Sequence, residues 1–312
     1  MNVITLPSEL RSTGTPVCLA IGMFDGVHLG HQEVILRTIS DARREQALAV
    51  VVTFDRHPNA VVAPERTPPL IYTLPQKLRA LEALGADAVW LIRFDRTFSQ
   101  QPAADFVRRL AEDFGRLRSI AIGNEFTFGH RRGGDAALLH TLGEHHGFVT
   151  HALAPVSWAG TPVSSTRIRE AIQRGELDEA SQLLGRRYAF AGHVVRGDRV
   201  GQRLGTPTAN TQTNGLVLPP TGVYVTRAIV RGRPHGAVTN IGVRPTVAPA
   251  ESGLRVETHL LDFDGDLYDK ELEVSPLRKL RDELRFPSLE DLQEQVARDI
   301  TAARQYFQRT GL

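Results

Sequence analysis

The sequence is short of several features, and each shortage excludes a class of protein. It contains a single cysteine, Cys18, so no internal disulfide can form, which is usual in a reducing compartment. It has no apolar run near the ~18 residues of a transmembrane helix, and its start, MNVITLPSELRSTGTP, lacks a signal-peptide pattern. We therefore expect a cytoplasmic protein with no membrane partner, in which Cys18 is a buried small hydrophobic residue.

A strong charge bias is also missing. Lysine and arginine number 37 against 35 acidic residues, a formal net charge of +2, which gives no broad basic surface for nucleic acid. No Ser-His-Asp or Cys-His set suggests a covalent enzyme intermediate. The composition is that of an ordinary globular protein, and 312 residues exceed what one hydrophobic core usually serves. We expect two domains, and this charge balance is compatible with small anionic ligands.

The first half alternates short β-branched runs with helical patterns from Val17 to about Pro155. This alternation predicts a Rossmann-like α/β domain, a parallel sheet with helices on both faces. Two long polar segments, RHPNAVVAPERTPPLIYT and EFTFGHRRGGD, interrupt it. Because α/β proteins bind ligands in loops at strand ends, we expect the site there.

The pattern changes after VSSTRIREAIQRGELDEASQLLG, which predicts two short helices. Period-two strands and Gly/Pro turns follow, which predict a compact antiparallel β-barrel. We therefore predict domains 1–185 and 186–312, with a boundary near Gly185. The clearest strand segments are AFAGHVV, GVYVTRAIV, GAVTNIGV and LRVETHLLDF.

A final helix is predicted to begin at Pro287 and Ser288, with Asp291 completing an approximate capping box. We expect its apolar stripe to pack on the barrel rather than to bind a partner. The stripe consists of Leu289, Leu292, Val296, Ile300 and Phe307.

The segment GMFDGVHLGH, residues 22–31, follows the first strand and opens the first helix. Its glycines would let the backbone approach a ligand, and a helix start attracts phosphate through its N–H groups and dipole. His28 and His31 could both donate ring N–H groups to a nucleotide triphosphate. Capping or surface histidines are the simpler interpretation of the pair alone. Its context resembles the nucleotidyltransferase superfamily with the H-x-G-H signature.

VSSTRIRE, at the end of the same domain, allows two interpretations. Ser165 or Thr166 could cap the following helix, with Arg167 and Arg169 solvated. Alternatively, the two hydroxyls and Arg169 could bind the β and γ phosphates as pyrophosphate leaves. The position of the segment relative to H-L-G-H favours the second.

Residues 192–210, GHVVRGDRVGQRLGTPTAN, concentrate glycines before a P-T-A-N tetrad. A glycine-rich hairpin can wrap phosphates with backbone N–H groups. Thr208 and Asn210 lie one residue apart, so an extended segment places both side chains on one face. Hydroxyl, amide and phosphate oxygens are ligands that Mg²⁺ prefers.

Glu257, in RVETHLLDF, is predicted to point away from Val256 and Thr258. We expect a carboxylate that faces the barrel without a sequence-local partner, which makes it a candidate general base for a substrate hydroxyl. An exposed strand residue is the alternative.

Together the motifs resemble the bacterial bifunctional riboflavin kinase/FAD synthetase (riboflavin kinase/FMN adenylyltransferase) family. The resemblance spans nearly the whole chain and includes GMFDGVHLGHQ, TFDRHP, GNEFTFG, VSSTRIRE, LGTPTAN, NIGVRPT, VETHLLDFDGDLYD and LRDELRFPS. It implies an amino-terminal FMN adenylyltransferase and a carboxy-terminal riboflavin kinase. The implied small molecules are riboflavin, FMN, FAD, ATP, ADP and pyrophosphate, with Mg²⁺ as cofactor.

The resemblance also implies residue roles. His28, His31 and Arg169 would act in adenylyl transfer, Glu257 would accept the proton of the ribityl terminal hydroxyl, and Thr208 and Asn210 would hold Mg²⁺. The implied substrate- or nucleotide-binding positions are Gly22, Phe24, Asp25, Gly26, Gly30, Asn124, Ser164, Ser165, Thr166, Gly192, Gly197, Gly201, Gly205 and Pro207.

The chain departs from the family pattern at a few positions. Glu125 stands where Asp or Asn is usual, Gln202 replaces an arginine that Arg203 could supply, and Thr206 replaces an aromatic residue. Phe126 and Phe128 could contact the flavin ring or simply pack in the core. Two rival functions are a nucleotidyltransferase for a pyridine nucleotide or pantetheine precursor, fused to an unrelated barrel, and a nonenzymatic flavin or nucleotide sensor.

Overall fold

The computed structural model describes residues 1–11, 14–197, 201, 205–243 and 254–311. Contacts divide the chain into two compact units. The first comprises Met1–Arg167 and Leu183–Gly185, and the second comprises Ile168–Gln182 and Arg186–Leu312. The predicted domain ranges 1–185 and 186–312 stay a prediction, since the segment Ile168–Gln182 groups by its contacts with the second unit.

Six parallel strands form the sheet of the first unit, in the order β1-β4-β3-β2-β5-β6. The predicted parallel sheet is therefore confirmed. Its strands are β1 (Asn2–Ile4), β2 (Val17–Ile21), β3 (Leu48–Phe54), β4 (Ala88–Ile92), β5 (Leu117–Gly123) and β6 (Val149–Leu153). The edge strand β1 escaped prediction because only Ile4 of its three residues is buried, too little to make a pattern.

Helices cover both faces of this sheet, as predicted. Side chains of β2 alternate between two cores: Leu19 lies in one core with Val107 and Leu139, and Cys18 lies in the other with Ile35 and Leu81. The helices are α1 (Ser8–Arg11), α2 (Leu29–Arg44), α3 (Asn59–Val62), α4 (Leu74–Ala83), α5 (Arg96–Ser99), α6 (Ala103–Phe114) and α7 (Ala136–His146), with short 3-10 turns at Asp25–Val27, Pro64–Arg66 and His130–Arg132.

The strand order reverses between β2 and β5. From β2 the chain moves outward through β3 and β4, then returns to the other side of β2 to form β5. In open α/β sheets, ligands bind outside the carboxyl ends of the strands at such a reversal. The segments that follow β2 and β5, residues 22–31 and 124–135, are therefore the expected ligand-binding region.

A small hairpin and two helices follow the sheet. The hairpin pairs β7 (Ser157–Trp158) with β8 (Thr161–Pro162), and the helices are α8 (Ser165–Arg174) and α9 (Leu177–Leu184). The two predicted short helices are thus confirmed.

The second unit contains a closed antiparallel barrel in the order β10-β13-β12-β11-β14-β9. Its strands are β9 (Phe190–Val195), β10 (Ala209–Thr211), β11 (Gly222–Val230), β12 (Arg233–Val243), β13 (Leu254–Leu260) and β14 (Glu271–Arg281). The predicted barrel is confirmed. Three buried threonine hydroxyls cross-link its interior, from Thr226 to Thr239 at 2.8 Å and from Thr239 to Thr258 at 3.0 Å.

The last helix, α10 (Leu289–Thr310), packs on the barrel as predicted. Ser288 caps it by accepting a hydrogen bond from Asp291 N at 3.1 Å. Ile300 and Phe307 contact the barrel core, but Leu289 is 61% exposed and does not belong to the stripe, because it lies in the first turn before the helix reaches the barrel. Among the described residues, no helix has the length and apolar character to cross a membrane.

Candidate active sites

The turn between β2 and α2 has an unusual backbone. Phe24 and Val27 have φ values of 51° and 42°, and Gly26 has 76°. A left-handed conformation is rare for a phenylalanine and more so for a β-branched valine, and such residues concentrate at functional sites. The buried Phe24 ring lies where a side chain at Gly22 would be, since a Cβ there would be 2.9 Å from it.

His28 and His31 lie together at the start of α2. Their rings stack with centroids 3.6 Å apart and an interplanar angle of 18°. His28 is the N-cap residue, and its Nδ1 accepts a hydrogen bond from His31 N at 3.3 Å. Because Nδ1 accepts, the neutral ring carries its proton on Nε2. The capping interpretation is therefore correct for His28.

Two further residues hold this turn in place. A Cβ at Gly30 would lie 3.2 Å from His28 Cε1, so glycine makes room for the capping ring. Asp25, only 4% exposed, accepts hydrogen bonds from Ile71 N at 3.0 Å and Tyr72 N at 3.2 Å. The Asp25 carboxylate thus fastens the end of the first long polar segment to the turn.

Lys77 is a buried lysine that the motif analysis missed. Its Nζ donates to Phe54 O at 2.8 Å and lies 3.4 Å from Met23 O, so it joins the chain just after β2 to the end of β3. Burial lowers the pKa of Lys77 to about 8, against the opposing attraction of Asp25 and Asp55. The sequence did contain a signal for its burial, because Lys77 lies four residues before Leu81 and therefore on the same, apolar face of α4.

The cap of the helix that begins in VSSTRIRE differs from the predicted one. Ser164, not Ser165 or Thr166, caps α8, because its Oγ accepts a hydrogen bond from Arg167 N at 3.2 Å. Ser165 Oγ instead donates to Asp25 O at 3.1 Å, which joins this segment to the H-x-G-H turn. Arg167 is not simply solvated, since its Nη1 donates to Trp158 O at 3.2 Å.

Three other predicted positions are accessible. Thr166 is exposed and Arg169 is half-buried on α8. Asn124 is exposed at the carboxyl end of β5, where its backbone N donates to Leu153 O at 2.8 Å. Their roles toward a nucleotide stay predictions.

The two long polar segments meet around one cavity of about 890 Å³ in the first unit. Residues 57–64 line one part and residues 125–132 another, as the strand reversal predicts. Phe126 and Phe128 stack with centroids 6.1 Å apart and an interplanar angle of 16°, and both line the cavity. The other aromatic lining residues are Phe54, Phe94, Phe98 and Phe106.

The same cavity has a polar part. Glu125, the family departure, lines it next to Phe126. Arg131 and Arg132 also line it from a turn in which both have positive φ, 53° and 57°. An apolar aromatic pocket with a few charged groups is typical of a small-molecule binding site.

The barrel unit has a second polar site, on its outer surface. Glu257 of β13 lies opposite Asn210 of β10 and Asn240 of β12, so the three side chains form a row. The neighbouring residues Val256 and Thr258 are fully buried inside the barrel. The expectation that Glu257 faces the barrel is therefore wrong, because strand alternation places it on the outer face.

Arg255 is the residue of this site that the sequence analysis missed. Its Nε donates to Asn210 Oδ1 at 3.0 Å, and its Nη2 lies 2.9 Å from Glu257 Oε1. The expectation that Glu257 has no sequence-local partner is thus also wrong. The signal was present, because residues two apart on a strand share a face.

The glycine-rich segment approaches this row. A Cβ at Gly197 would lie 2.6 Å from Asn210 Cγ, and one at Gly201 would lie 3.2 Å from Thr208 Oγ1. Thr206 N donates to Gly201 O at 2.9 Å.

The other predicted binding positions of this segment lie at different places in the barrel unit. Gly192 lies within β9, where a side chain would collide with Gln212 O, so it serves barrel closure. Gly205 has a φ of 76°, and Pro207 O is 2.9 Å from His259 Nδ1. Gln202 and Arg203 lie outside the described residues.

Thr208 and Asn210 fit a magnesium ion by their chemistry. Both flank the buried Ala209, so they share the outer face, and both offer hard oxygen atoms. The part of the chain that the structure describes has no group of three or more His, Cys, Asp and Glu side chains that could hold a metal. Two oxygen ligands suffice for Mg²⁺ when phosphates and water complete its coordination.

Fold and sites together define a two-part enzyme, a nucleotide-binding α/β unit followed by a barrel with a polar outer site. The FAD synthetase family model matches residues 11–167, and the riboflavin kinase family model matches residues 184–307. The chain belongs to the bifunctional riboflavin kinase/FMN adenylyltransferase family.

Similar proteins of that name come from several bacteria. The protein from Escherichia coli K12 is 38% identical over 93% of this chain and 92% of its own length. The one from Pseudomonas fluorescens is 40% identical over 92% of each chain. A crystal structure titled a macrolide-efflux protein from Streptococcus pneumoniae is 28% identical, with a TM-score of 0.80 over 97% of this chain and 98% of that one.

Proposed function

We propose that the chain phosphorylates riboflavin to FMN in the barrel unit and adenylylates FMN to FAD in the α/β unit, with ATP as co-substrate of both steps. The observation that carries the proposal is the pair of separate polar sites, each within the part of the chain that matches the corresponding family. Members of these families use ATP and generally a divalent metal; Mg²⁺ is the ion proposed here.

In the kinase step Glu257 accepts the proton of the ribityl terminal hydroxyl. The hydroxyl oxygen attacks the γ-phosphorus of ATP, the bond to the β-phosphate oxygen breaks, and ADP leaves. Thr208 and Asn210 would hold Mg²⁺, which when bound would neutralise phosphate charge in the transition state. Gly197, Gly201 and Gly205 allow the backbone N–H groups of their segment to approach the phosphates.

In the adenylyltransferase step the FMN phosphate is already anionic and needs no base. Its oxygen attacks the α-phosphorus of ATP, and pyrophosphate leaves. His28 Nε2–H, His31 and the N-terminal N–H groups of α2 donate to the phosphates. Ser165, Thr166 and Arg169 stabilise the departing pyrophosphate.

The 890 Å³ cavity takes the flavin ring of FMN in this step. Three features support the assignment: the stacked rings of Phe126 and Phe128, the arginines Arg131 and Arg132 for the anionic end, and Met23, which lines the cavity within the H-x-G-H turn. Phe128 belongs to the buried core of the unit and Phe126 packs against it, so contact of this pair with the flavin ring is part of the proposal.

The domain ranges and the cellular location belong to the same proposal. The adenylyltransferase domain spans 1–185 and the kinase domain 186–312, which the family matches ending at 167 and beginning at 184 support. The protein acts in the cytoplasm, where ATP and reduced thiols are available.

One incubation tests the function. Purified protein is mixed with riboflavin, ATP and Mg²⁺, and flavins are separated by chromatography over time. We expect FMN to appear first and FAD afterwards. Conversion of a pyridine nucleotide or pantetheine precursor with no change in flavin would support the first rival, and flavin binding without any product would support the sensor.

A further inference from the structure

Arg255 occupies a central position in the kinase site. It lies two residues before Glu257 on β13, and a single guanidinium contacts both Asn210 Oδ1 and Glu257 Oε1, at 3.0 and 2.9 Å. The side chains of Arg255 and Glu257 are 24% and 26% exposed, so solvent reaches the ion pair but does not surround it. One cation therefore links two residues with different proposed roles.

The two contacts differ in what metal binding would do to them. Asn210 Oδ1 is the oxygen proposed to hold Mg²⁺, and a guanidinium beside it repels a second cation there. The Glu257 carboxylate, in contrast, gains from a positive partner whether or not a metal is present. Binding of the metal should therefore weaken the hydrogen bond between Arg255 and Asn210. The ion pair between Arg255 and Glu257 should remain.

We propose that Arg255 is a positioning residue of the kinase site: without metal it holds both Asn210 and Glu257, and it yields Asn210 Oδ1 to the divalent cation while keeping Glu257 oriented toward the substrate hydroxyl. The inference rests on the proposed metal role of Asn210. It adds a residue that none of the sequence motifs assigns.

Charge and geometry can be separated by two substitutions. Arg255→Gln removes the positive charge, so the cation should bind more tightly while Glu257 loses its ionic partner. Arg255→Lys keeps the charge, but a compact ammonium cannot reproduce the two contacts of a planar guanidinium. If Arg255 served only to stabilise the fold, its replacement would weaken metal binding. The proposal predicts the opposite, a tighter binding of the cation by Arg255→Gln.

The experiment measures binding of Mn²⁺ to the full-length chain in the presence of ADP, by electron paramagnetic resonance. Because each unit is expected to bind nucleotide, Asn210→Ala identifies the Mn²⁺ component that belongs to the barrel. Arg233→Gln is the matched control for loss of charge, since Arg233 starts β12 seven residues, about 23 Å, from Asn240. Thermal melting verifies that every variant is folded.

We expect Arg255→Gln to tighten the barrel component about threefold or more and to lower the kcat of FMN formation about tenfold. Arg255→Lys should leave Mn²⁺ affinity near that of the wild type while lowering kcat, and Arg233→Gln should change neither. Unchanged or weaker Mn²⁺ binding in a folded Arg255→Gln variant would overturn the proposal. If Asn210→Ala removes no Mn²⁺ component, the metal role of Asn210 fails as well.

Discussion

The two candidate sites are held in place by different means. In the α/β unit, contacts with the main chain fix the side chains: His28 caps α2, Asp25 accepts backbone N–H groups, and Ser165 donates to a backbone carbonyl. In the barrel unit, side chains fix one another across strands, with Arg255 between Asn210 and Glu257. The first kind of site depends on contacts between side chains and the main chain of several segments, whereas the second depends on the register between strands.

The difference has a consequence for substitutions. A site fixed by main-chain contacts should lose one function when one side chain changes, because the backbone keeps the rest in place. A site fixed by side chains should lose orientation at neighbouring positions as well. The following predictions compare the two units on this basis.

The largest effect is expected at Glu257. Replacement by Gln keeps the shape but removes the proton acceptor and the charge that pairs with Arg255, so FMN formation should fall ~100-fold or more. Conversion of added FMN to FAD should continue at the wild-type rate, as measured by chromatography of the flavins. Equal loss of both activities would contradict the division of the two reactions between the units.

His31→Ala should have the complementary effect. Without this donor at the start of α2, FAD formation should fall ~100-fold, while FMN forms normally and accumulates in a timed assay. His140→Ala is the control, because His140 is 66% exposed on α7 of the same unit. Normal FAD production by the His31 variant would refute its role.

A smaller effect is expected in the flavin cavity. Phe126→Leu keeps an apolar side chain but loses the stacked ring, so the KM for FMN should rise about fivefold. The KM for riboflavin in the kinase step should stay unchanged, since the cavity lies in the α/β unit. A rise in the KM for riboflavin instead would place that cavity in the kinase reaction.

The smallest effect concerns Lys77 and touches stability rather than chemistry. Its pKa is lowered from 10.5 to about 8, so between these values the unfolded chain binds more protons than the folded chain. The unfolding free energy of the wild type should therefore rise with pH through this window, relative to Lys77→Met, by about 1 kcal/mol or more. Urea unfolding of both proteins across the window measures this difference. Parallel pH profiles of the two proteins would show that burial does not lower the pKa of Lys77.

The sequence predicted most of the fold because its signals are local. The alternation of apolar runs and helical patterns predicted the parallel sheet, and the period-two strands with Gly/Pro turns predicted the barrel. Ser288 marked the start of the last helix. The strand β1 escaped because its three residues, Asn2–Ile4, pair at an exposed edge. Leu289 was misplaced because an apolar repeat does not tell where a helix first meets its neighbour.

Site features that depend on neighbouring residues in the sequence could be predicted, whereas features that depend on strand pairing could not. The pairing of His28 with His31 was predictable because both belong to one helix start. The outward direction of Glu257 and its contact with Arg255 were missed, although alternation along β13 carried both. The row formed with Asn240 could not be predicted, since it depends on the register between β12 and β13.

The most direct test of the two-site account is a mixing experiment. Glu257→Gln retains the adenylyltransferase site and His31→Ala retains the kinase site, so each variant alone should make FAD from riboflavin ~100-fold more slowly than the wild type. An equimolar mixture with ATP and Mg²⁺ should make FAD, with FMN as the intermediate that passes between molecules. If the mixture makes FMN but no FAD, or neither product, the two sites do not work as separate, complete catalysts.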